Sequence, residues 1–188
     1  MKIYVLLGHP DKESFNGQLF DRYVATAKKR GHEVRGQQLG AMHFDPVLWK
    51  GYGEKQELEP DLKTAQEHIL WCDKWVLIYP MWWGSVPAIL KGFFDRVLTP
   101  GFAFKYHEKD PFWDKLLKGR SYELINTCDA PKLWVWFQYR NGDFYTIKKA
   151  TLEFCGLKKA KVWRLDKMKY KNEQDREKIL LKIEKSIK

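Results

Sequence analysis

One stretch in the middle of the chain, residues 76–97, constrains the fold more than any other part of the sequence. It begins with a short apolar, β-branched run ending at Tyr79, which is typical of a strand buried on both faces. Pro80 ends this strand, and the next four residues form a turn: Met81, Trp82, Trp83 and Gly84. Ser85 is predicted to cap a helix that holds Pro87 in its first turn. That helix would bury apolar residues at helical spacing: Val86, Ile89, Leu90, Phe93 and Val97.

The same succession of strand and helix repeats along the chain. The strand candidates are residues 2–8, 33–39, 74–79, 121–127 and 160–165. The helix candidates are residues 15–30, 61–71, the helix after Ser85, 143–154 and 172–187. Strands that alternate with helices form parallel sheets with helical crossovers on both faces. Five such units predict a single α/β domain over residues 1–188, with a five-stranded parallel sheet in the flavodoxin-like order 2-1-3-4-5.

Composition excludes several classes of protein. The 34 Lys and Arg against 24 Asp and Glu give a net charge of +10. This excess of basic residues is compatible with nucleic-acid binding, but the sequence contains no recognisable nucleic-acid-binding motif. The basic residues of the last helix also alternate with acidic ones, as on an ordinary solvated helix face. Three cysteines without C-x-x-C spacing and five scattered histidines indicate neither disulfides nor a metal site. The apolar runs are too short to span a bilayer and the N-terminus does not resemble a signal peptide, so we expect a cytoplasmic protein.

Three loops should meet at the carboxyl ends of the first, third and fourth predicted strands, where open α/β sheets bind ligands. The first loop leads into a helix N-terminus, whose free N–H groups and dipole attract a phosphate. Ser14, Asn16 and Gln18 add donors there, and His9 adds a charge or a hydrogen bond. Taken alone, Ser14 is more often a simple helix cap, and His9 would be a solvated loop histidine. The loop lacks both the Rossmann fingerprint and the P-loop motif.

The second and third loops offer an aromatic wall and further polar groups. Trp82 and Trp83 follow a strand end directly, so we expect at least one of them to stack on an aromatic ligand. The alternative is that they plug the edge of the sheet. The third loop offers the hydroxyl of Thr127 and the backbone amides of Cys128 and Asp129. No His or Asn partner for a Cys128 nucleophile is identifiable, so a catalytic thiol is not expected.

Several motifs, in the same order along the chain, resemble a known family. They are Gly8-His-Pro with Ser14-Phe-Asn, Asp45-Pro, the stretch from Tyr79 to Arg96 with its P-x-x-W-x-x-V-P-A-x-L-K-G pattern, Gly101-Phe-Ala-Phe-Lys-Tyr and Thr151-Leu-Glu-Phe-Cys-Gly. The chain thereby resembles the NAD(P)H:quinone oxidoreductases, flavodoxin-like flavoenzymes that include DT-diaphorase and small bacterial NAD(P)H-dependent oxidoreductases.

The resemblance implies a non-covalent flavin and a two-electron, ping-pong reduction of quinones or similar acceptors by NADH or NADPH. It also implies a homodimer with flavin sites at the subunit interface. Because the chain ends soon after its fifth unit, we expect FMN, with FAD possible. The residues that match the family's flavin phosphate and ribityl contacts are His9, Ser14, Phe15, Asn16 and Gln18. Those that match its isoalloxazine contacts are Pro80, Met81, Trp82, Trp83 and Gly84, with Thr127, Cys128 and Asp129 at the pyrimidine edge.

The segment between residues 99 and 113 is too long and aromatic for a plain connection. Its alternation predicts that Phe102, Phe104 and Tyr106 face one side of an extended arm, leaving an exposed patch in a monomer. In the family, the aromatics matching Phe104 and Tyr106 reach into the acceptor pocket of the partner subunit. The chain departs from the family after Thr127, where Gly-Gly is absent, and no histidine follows His107. An alternative function is a flavin-containing ancillary subunit of a potassium-efflux system.

Overall fold

A computed structural model describes residues 1–187, in which five parallel strands form the central sheet. The strands are β1 (Lys2–Leu7), β2 (Glu33–Gln38), β3 (Lys74–Pro80), β4 (Phe104–Tyr106), β5 (Trp113–Lys115), β6 (Ser121–Thr127) and β7 (Lys158–Leu165). The α-helices are α1 (Phe15–Lys29), α2 (Pro60–Trp71), α3 (Ala88–Val97), α4 (Lys132–Tyr139), α5 (Gly142–Tyr145), α6 (Glu153–Cys155) and α7 (Glu173–Ser186). The sheet order is β2-β1-β3-β6-β7. Strands β4 and β5 pair with each other in a separate hairpin. Strands β6 and β7 are therefore the fourth and fifth strands of the main sheet, and the predicted order is confirmed. None of the helices described in residues 1–187 is long and apolar enough to cross a membrane.

The side chains of β1 show how the sheet is covered. Tyr4 and Leu6 belong to an apolar cluster that includes residues of α2 and α3. Ile3, Val5 and Leu7 belong to a second cluster, which includes residues of α1 and α7. Successive side chains of a strand point to opposite faces, so the core is divided into two layers by the sheet.

Two of the predicted helix ends are confirmed and one is wrong. The side chain of Asn172 accepts a hydrogen bond from the amide of Asp175 at the start of α7 (2.9 Å), and Gly31 follows α1 with a φ of 81°. Ser85 does not cap α3, which begins at Ala88 after an extended Pro87. The residue before a proline is biased towards extended backbone, and this delays the start of the helix.

The chain between β6 and β7 differs most from the prediction. Helix α4 was not predicted, and the single helix expected over residues 143–154 is divided. Its parts are α5, a π-helical segment (Thr146–Leu152) and α6. The apolar residues of α4 are consecutive in the sequence, so they show neither helical spacing nor strand alternation.

The predicted aromatic arm is a short hairpin of β4 and β5, and Phe104 is buried within it. Only 5% of Phe104 is exposed, and its ring packs edge-on against the rings of Phe154 and Tyr52 (5.1 and 6.2 Å between centroids). Phe102 is half-buried as well. The expectation of a patch of three exposed aromatics is therefore wrong, because α6 supplies Phe154 as a partner within the chain. Of the three, Tyr106 alone is exposed, at 58%.

Candidate functional site

The loops after β1, β3 and β6 lie side by side because these strands are neighbours in the sheet. The side-chain amide of Asn16 donates to the hydroxyl of Thr127 across 3.0 Å, with both residues buried. The backbone amide of Met81 donates to the carbonyl of Thr127 at 2.7 Å. The rings of His9 and Trp82 meet edge-on, with centroids 5.4 Å apart. The structure thus brings together predicted residues from all three loops.

The first loop is held by its own hydrogen bonds. The hydroxyl of Ser14 accepts from the amide of Gly17 (3.2 Å) and donates to the carbonyl of Asp11 (2.7 Å). Ser14 is therefore a helix cap, as the simpler interpretation had it. The backbone amide of Asp11 also donates to Nδ1 of His9 at 2.9 Å. With Nδ1 engaged as an acceptor, Nε2 is the ring nitrogen left to bind a ligand.

Two glycines let the first loop approach the neighbouring backbone very closely. A Cβ placed on Gly17 would lie 1.7 Å from the carbonyl oxygen of Lys12. A Cβ placed on Gly40 would lie 1.7 Å from the carbonyl oxygen of Pro10. Both contacts are with backbone atoms, which cannot turn away as a flexible side chain can. The loop is therefore seated between Gly17 and Gly40.

A depression of about 400 Å³ lies where the first turns of α1 and α7 face each other. Gln18 and Arg176 both line it, together with Lys171, Glu173, Glu177 and Leu180. The Nε of Arg176 is buried and has no hydrogen-bond partner, and its guanidinium lies 5.6 Å from the centre of the Phe15 ring. Lys171 and Arg176 offer positive charge at the start of α7, where a helix N-terminus also favours an anion. Of the two carboxylates that line the depression, that of Glu177 is paired with Arg22. Arg176 could not be singled out from the sequence, because it is one of many alternating charges in the last helix.

The turn after β3 has a strained, outward-facing geometry. The amide of Trp82 donates to the carbonyl of Ser85 (3.1 Å), and the amide of Ser85 donates back (2.8 Å). Trp83 and Gly84 both have positive φ, 51° and 70°, as in the tight turns that normally hold Asn and Gly. The side chain of Trp83 is fully exposed. This exposure contradicts the alternative in which Trp83 plugs the edge of the sheet.

A buried ion pair that the sequence did not reveal supports the second and third loops. Arg164, at the end of β7, binds both carboxylate oxygens of Asp143 at 2.8 Å. The same guanidinium donates to the side-chain oxygen of Asn126 (2.8 Å) and lies 3.3 Å from the sulfur of Met81. It also lies 3.9 Å from the centre of the Phe144 ring. One cation therefore connects the ends of β3, β6 and β7 with α5.

The polar groups of Cys128 are engaged in hydrogen bonds within the chain. Its backbone amide donates to the carbonyl of Leu165 (2.9 Å), and its carbonyl accepts from Met168 (3.1 Å). Its thiol donates to the carbonyl of Ala130 (3.2 Å). Burial raises the pKa of the Cys128 thiol to about 11, against the lowering effect of nearby Arg164. The thiol is protonated at neutral pH, which agrees with the expectation that it is not a nucleophile.

A second cavity, of about 490 Å³, lies elsewhere in the chain. It is lined by residues of the segment after β2, including Tyr52 and Leu58, and by Arg96 of α3. None of its lining residues belongs to the three loops. We place the candidate site at the loops because the predicted residues converge there. Within residues 1–187, no cluster of His, Cys, Asp and Glu is arranged to hold a metal ion.

The comparisons with known proteins agree with this architecture. The family model described as a flavodoxin-like fold matches residues 1–187. The NAD(P)H dehydrogenase [quinone] 1 of Cavia porcellus is 31% identical over 180 residues, which are 81% of this chain and 63% of the relative. The ribosyldihydronicotinamide dehydrogenase [quinone] of Pongo abelii is 31% identical over 84% of this chain and 78% of its own length.

Among solved structures, Smu.1420 from Streptococcus mutans UA159 is similar throughout. It is 30% identical, with a TM-score of 0.83, and the match covers 98% of this chain and 97% of that one. The chain spans less than two thirds of the guinea-pig relative, 63% of its length. The chain belongs to the flavodoxin-like family, among relatives named as NAD(P)H and ribosyldihydronicotinamide dehydrogenases of the quinone type.

Proposed function

We propose that this protein is a flavin-dependent oxidoreductase that uses NADH or NADPH to reduce quinones or similar acceptors. The observation that carries the proposal is the junction of the three loops, held by the buried hydrogen bond between Asn16 and Thr127. The names of the quinone-type relatives support the class of reaction. A bound flavin supplies the transfer of two electrons and a proton between the donor and the acceptor.

The residues of the chain fit a flavin with a terminal phosphate, so FMN is our proposed cofactor. The first turn of α1 presents its leading N–H groups to the phosphate, with Gln18 and Arg176 at the adjoining depression. Arg176 Nε is buried without a partner, and an anion there would satisfy it. His9, Phe15 and Asn16 would border the ribityl chain.

The ring of the flavin would lie at the second and third loops. Pro80 and the turn from Met81 to Gly84 would form its wall, with the exposed ring of Trp83 as the part free to stack. Asp129 would face its pyrimidine edge through the backbone amide, beside Thr127. These side chains orient the ring and exclude water from one face, and the nicotinamide and the acceptor would take turns at the other face.

Steady-state turnover tests the proposal. Protein loaded with FMN should oxidise NADH or NADPH in the presence of a soluble benzoquinone, with double-reciprocal lines that stay parallel as the quinone concentration is varied. Parallel lines are the signature of a ping-pong cycle, in which the first product leaves before the second substrate binds. FMN-loaded protein that oxidises neither nucleotide faster than free FMN does would contradict the proposed activity.

Replacing Trp83 separates a role in flavin binding from a role in folding. Trp83→Gly should weaken FMN binding by about 1–3 kcal/mol through the lost stack. Its free energy of unfolding should change by less than about 1 kcal/mol, because relief of the left-handed φ offsets the flexibility of the new glycine. FMN titration and urea unfolding measure the two effects. Trp83→Phe is the control that keeps a ring, and unchanged affinity in Trp83→Gly would exclude the stack.

We also propose that the active form is a homodimer in which Tyr106 reaches the acceptor pocket of the partner. Tyr106 is exposed at the tip of β4, and the buried ring of Phe104 supports it edge-on at 5.2 Å. Phe104 would therefore act through Tyr106 and not by direct contact with the acceptor.

Tyr106→Ser should lower quinone turnover about tenfold or more while FMN stays bound, because only the acceptor loses an aromatic wall. Sedimentation velocity on the wild type should show a dimer at micromolar concentration. Full quinone turnover by a wild-type monomer would exclude the shared site.

A further inference from the structure

The buried pair of Arg164 and Asp143 lies directly behind the two loops that we assign to the flavin ring. Nη1 of Arg164 lies 3.3 Å from the sulfur of Met81, which belongs to the turn after β3. The same nitrogen donates to the side-chain oxygen of Asn126 at 2.8 Å, one residue before Thr127. The Arg164 side chain is only 9% exposed and that of Asp143 is fully buried, so water screens their charges less than it screens surface charges.

The third loop carries no positive charge of its own. Residues 127–131 include neither Lys, Arg nor His, and no histidine follows His107. The lysines on the segments that border the loop are exposed to solvent, which screens them: Lys132, Lys167 and Lys169. They also lie beside two carboxylates, those of Asp129 and Asp166, which accept the backbone amides of Lys169 and Lys132. Arg164 reaches this loop from the interior instead.

The pair is oriented with its positive end towards the third loop. Burial raises the pKa of the Cys128 thiol to about 11, and Arg164 counteracts this shift more strongly than Asp143 adds to it. At Tyr79 of β3, burial again raises the pKa, but there the effect of Asp143 exceeds that of Arg164. The bidentate guanidinium and carboxylate form a dipole, and these two side chains lie at its opposite ends. The positive end therefore faces the loop that we assign to the pyrimidine edge.

We propose that the pair of Arg164 and Asp143 sets the reduction potential of the bound flavin, an inference that rests on the proposed function. A flavin that takes up two electrons and one proton gains one negative charge. A fixed positive charge beside the ring stabilises the charged form, and because the fold holds it in place it costs no reorganisation. Arg164 supplies this field, and Asp143 holds its guanidinium in position. The pair thus makes the bound flavin a better acceptor of electrons from the nucleotide.

A purely structural role is the alternative, because the pair also connects the ends of β3, β6 and β7 with α5. Both roles predict that breaking the pair destabilises the fold. Only the electrostatic role predicts how the reduction potential responds to each charge. Loss of the carboxylate alone should raise the potential, since the cation is then unopposed, and loss of both charges should lower it. The sign of the shift therefore separates the two roles.

The midpoint potential of FMN bound to the full chain tests the proposal, measured at saturating FMN against a reference dye. In Arg164→Met with Asp143→Leu, the ratio of reduced to oxidised FMN at a fixed applied potential should fall about tenfold. For a two-electron couple this equals a potential about 30 mV lower. Asp143→Asn, which keeps the shape of the side chain, should instead raise the potential. If the double variant does not fold, the shift in Asp143→Asn still tests the proposal by its sign.

Two further variants serve as controls. Lys55→Gln with Glu57→Gln removes an exposed pair, 2.7 Å apart, from the segment after β2, and its potential should match that of the wild type. Arg164→Lys keeps a positive charge opposite Asp143 and should stay closer to the wild-type potential than the double variant does. Urea unfolding of each variant measures the structural effect separately.

Two results with bound FMN would overturn the proposal. One is a single potential shared by the wild type, the double variant and Asp143→Asn, however much their stabilities differ. The other is a shift in the same direction in both variants, which would leave the pair with a structural role only. A wild type that binds no FMN would contradict the proposed function itself, and the inference would fall with it. The FMN titration of the wild type distinguishes that outcome from the other two.

Discussion

Asp143→Ala should lower the free energy of unfolding by about 3–5 kcal/mol, the largest effect that we expect from a single substitution. The Asp143 side chain is fully buried, and the side chain of Arg164 is only 9% exposed. Without the carboxylate, the charge of Arg164 stays in the interior, and the neutral groups of Asn126, Met81 and Phe144 cannot balance it. Urea unfolding with a constant m-value measures the loss.

Two variants distinguish a buried charge from general damage. Arg164→Met combined with Asp143→Leu removes both charges and should recover most of the lost stability, because a buried pair replaced by apolar side chains is often neutral. Asp95→Ala breaks an exposed pair with Lys91 on α3 and should cost less than about 1 kcal/mol. If the free energy of unfolding of Asp143→Ala lies within about 1 kcal/mol of the wild-type value, the structural role of the pair is contradicted.

Gly17→Ala should be destabilising by about 1–3 kcal/mol, although alanine is the better helix former. The added Cβ would meet the carbonyl oxygen of Lys12 at 1.7 Å, so the first loop has to move. Because this loop leads into the proposed phosphate site, FMN affinity should fall together with stability. Urea unfolding and an FMN titration of the same sample measure both.

Gly142→Ala is the control for this substitution. A Cβ on Gly142 would meet no atom within 4 Å, so this variant should match the wild type in both measurements. If Gly17→Ala is instead more stable than the wild type, the close contact between the loop and α1 is absent in solution. The comparison therefore tests the geometry that holds the first loop.

The sequence alone predicted the strands of the sheet and their order, because each central strand is a compact apolar run. It also placed Asn16, Trp82 and Thr127 at one edge, since the strand order alone brings those loops together. It could not predict that Phe104 is buried, because strand alternation does not show which face of β4 packs against Phe154 of α6. Nor could it show that the Cys128 amide is used by Leu165, which depends on the register between β6 and β7.

The missed residues share one physical cause. Arg164 and Asp143 are 21 positions apart, and they form a pair only after β7 and α5 have packed. Arg176 gains its position at the candidate site from the contact between α7 and α1. Helix α4 was missed because residues 133–137 are all apolar, so no polar positions among them reveal a helical period. A local sequence pattern indicates which residues of one helix or strand are buried. It does not indicate which residues of different elements will pair.

The measurement that tests the central claim most directly is the quenching of FMN fluorescence by the purified protein. Our account predicts saturable quenching with a Kd of about 1 μM or below, equivalent to about −8 kcal/mol. Arg176→Ala should weaken this binding, because the guanidinium would no longer meet the phosphate. Wild-type protein that leaves FMN fluorescence unchanged at concentrations well above that Kd would contradict the flavin site and the function proposed from it.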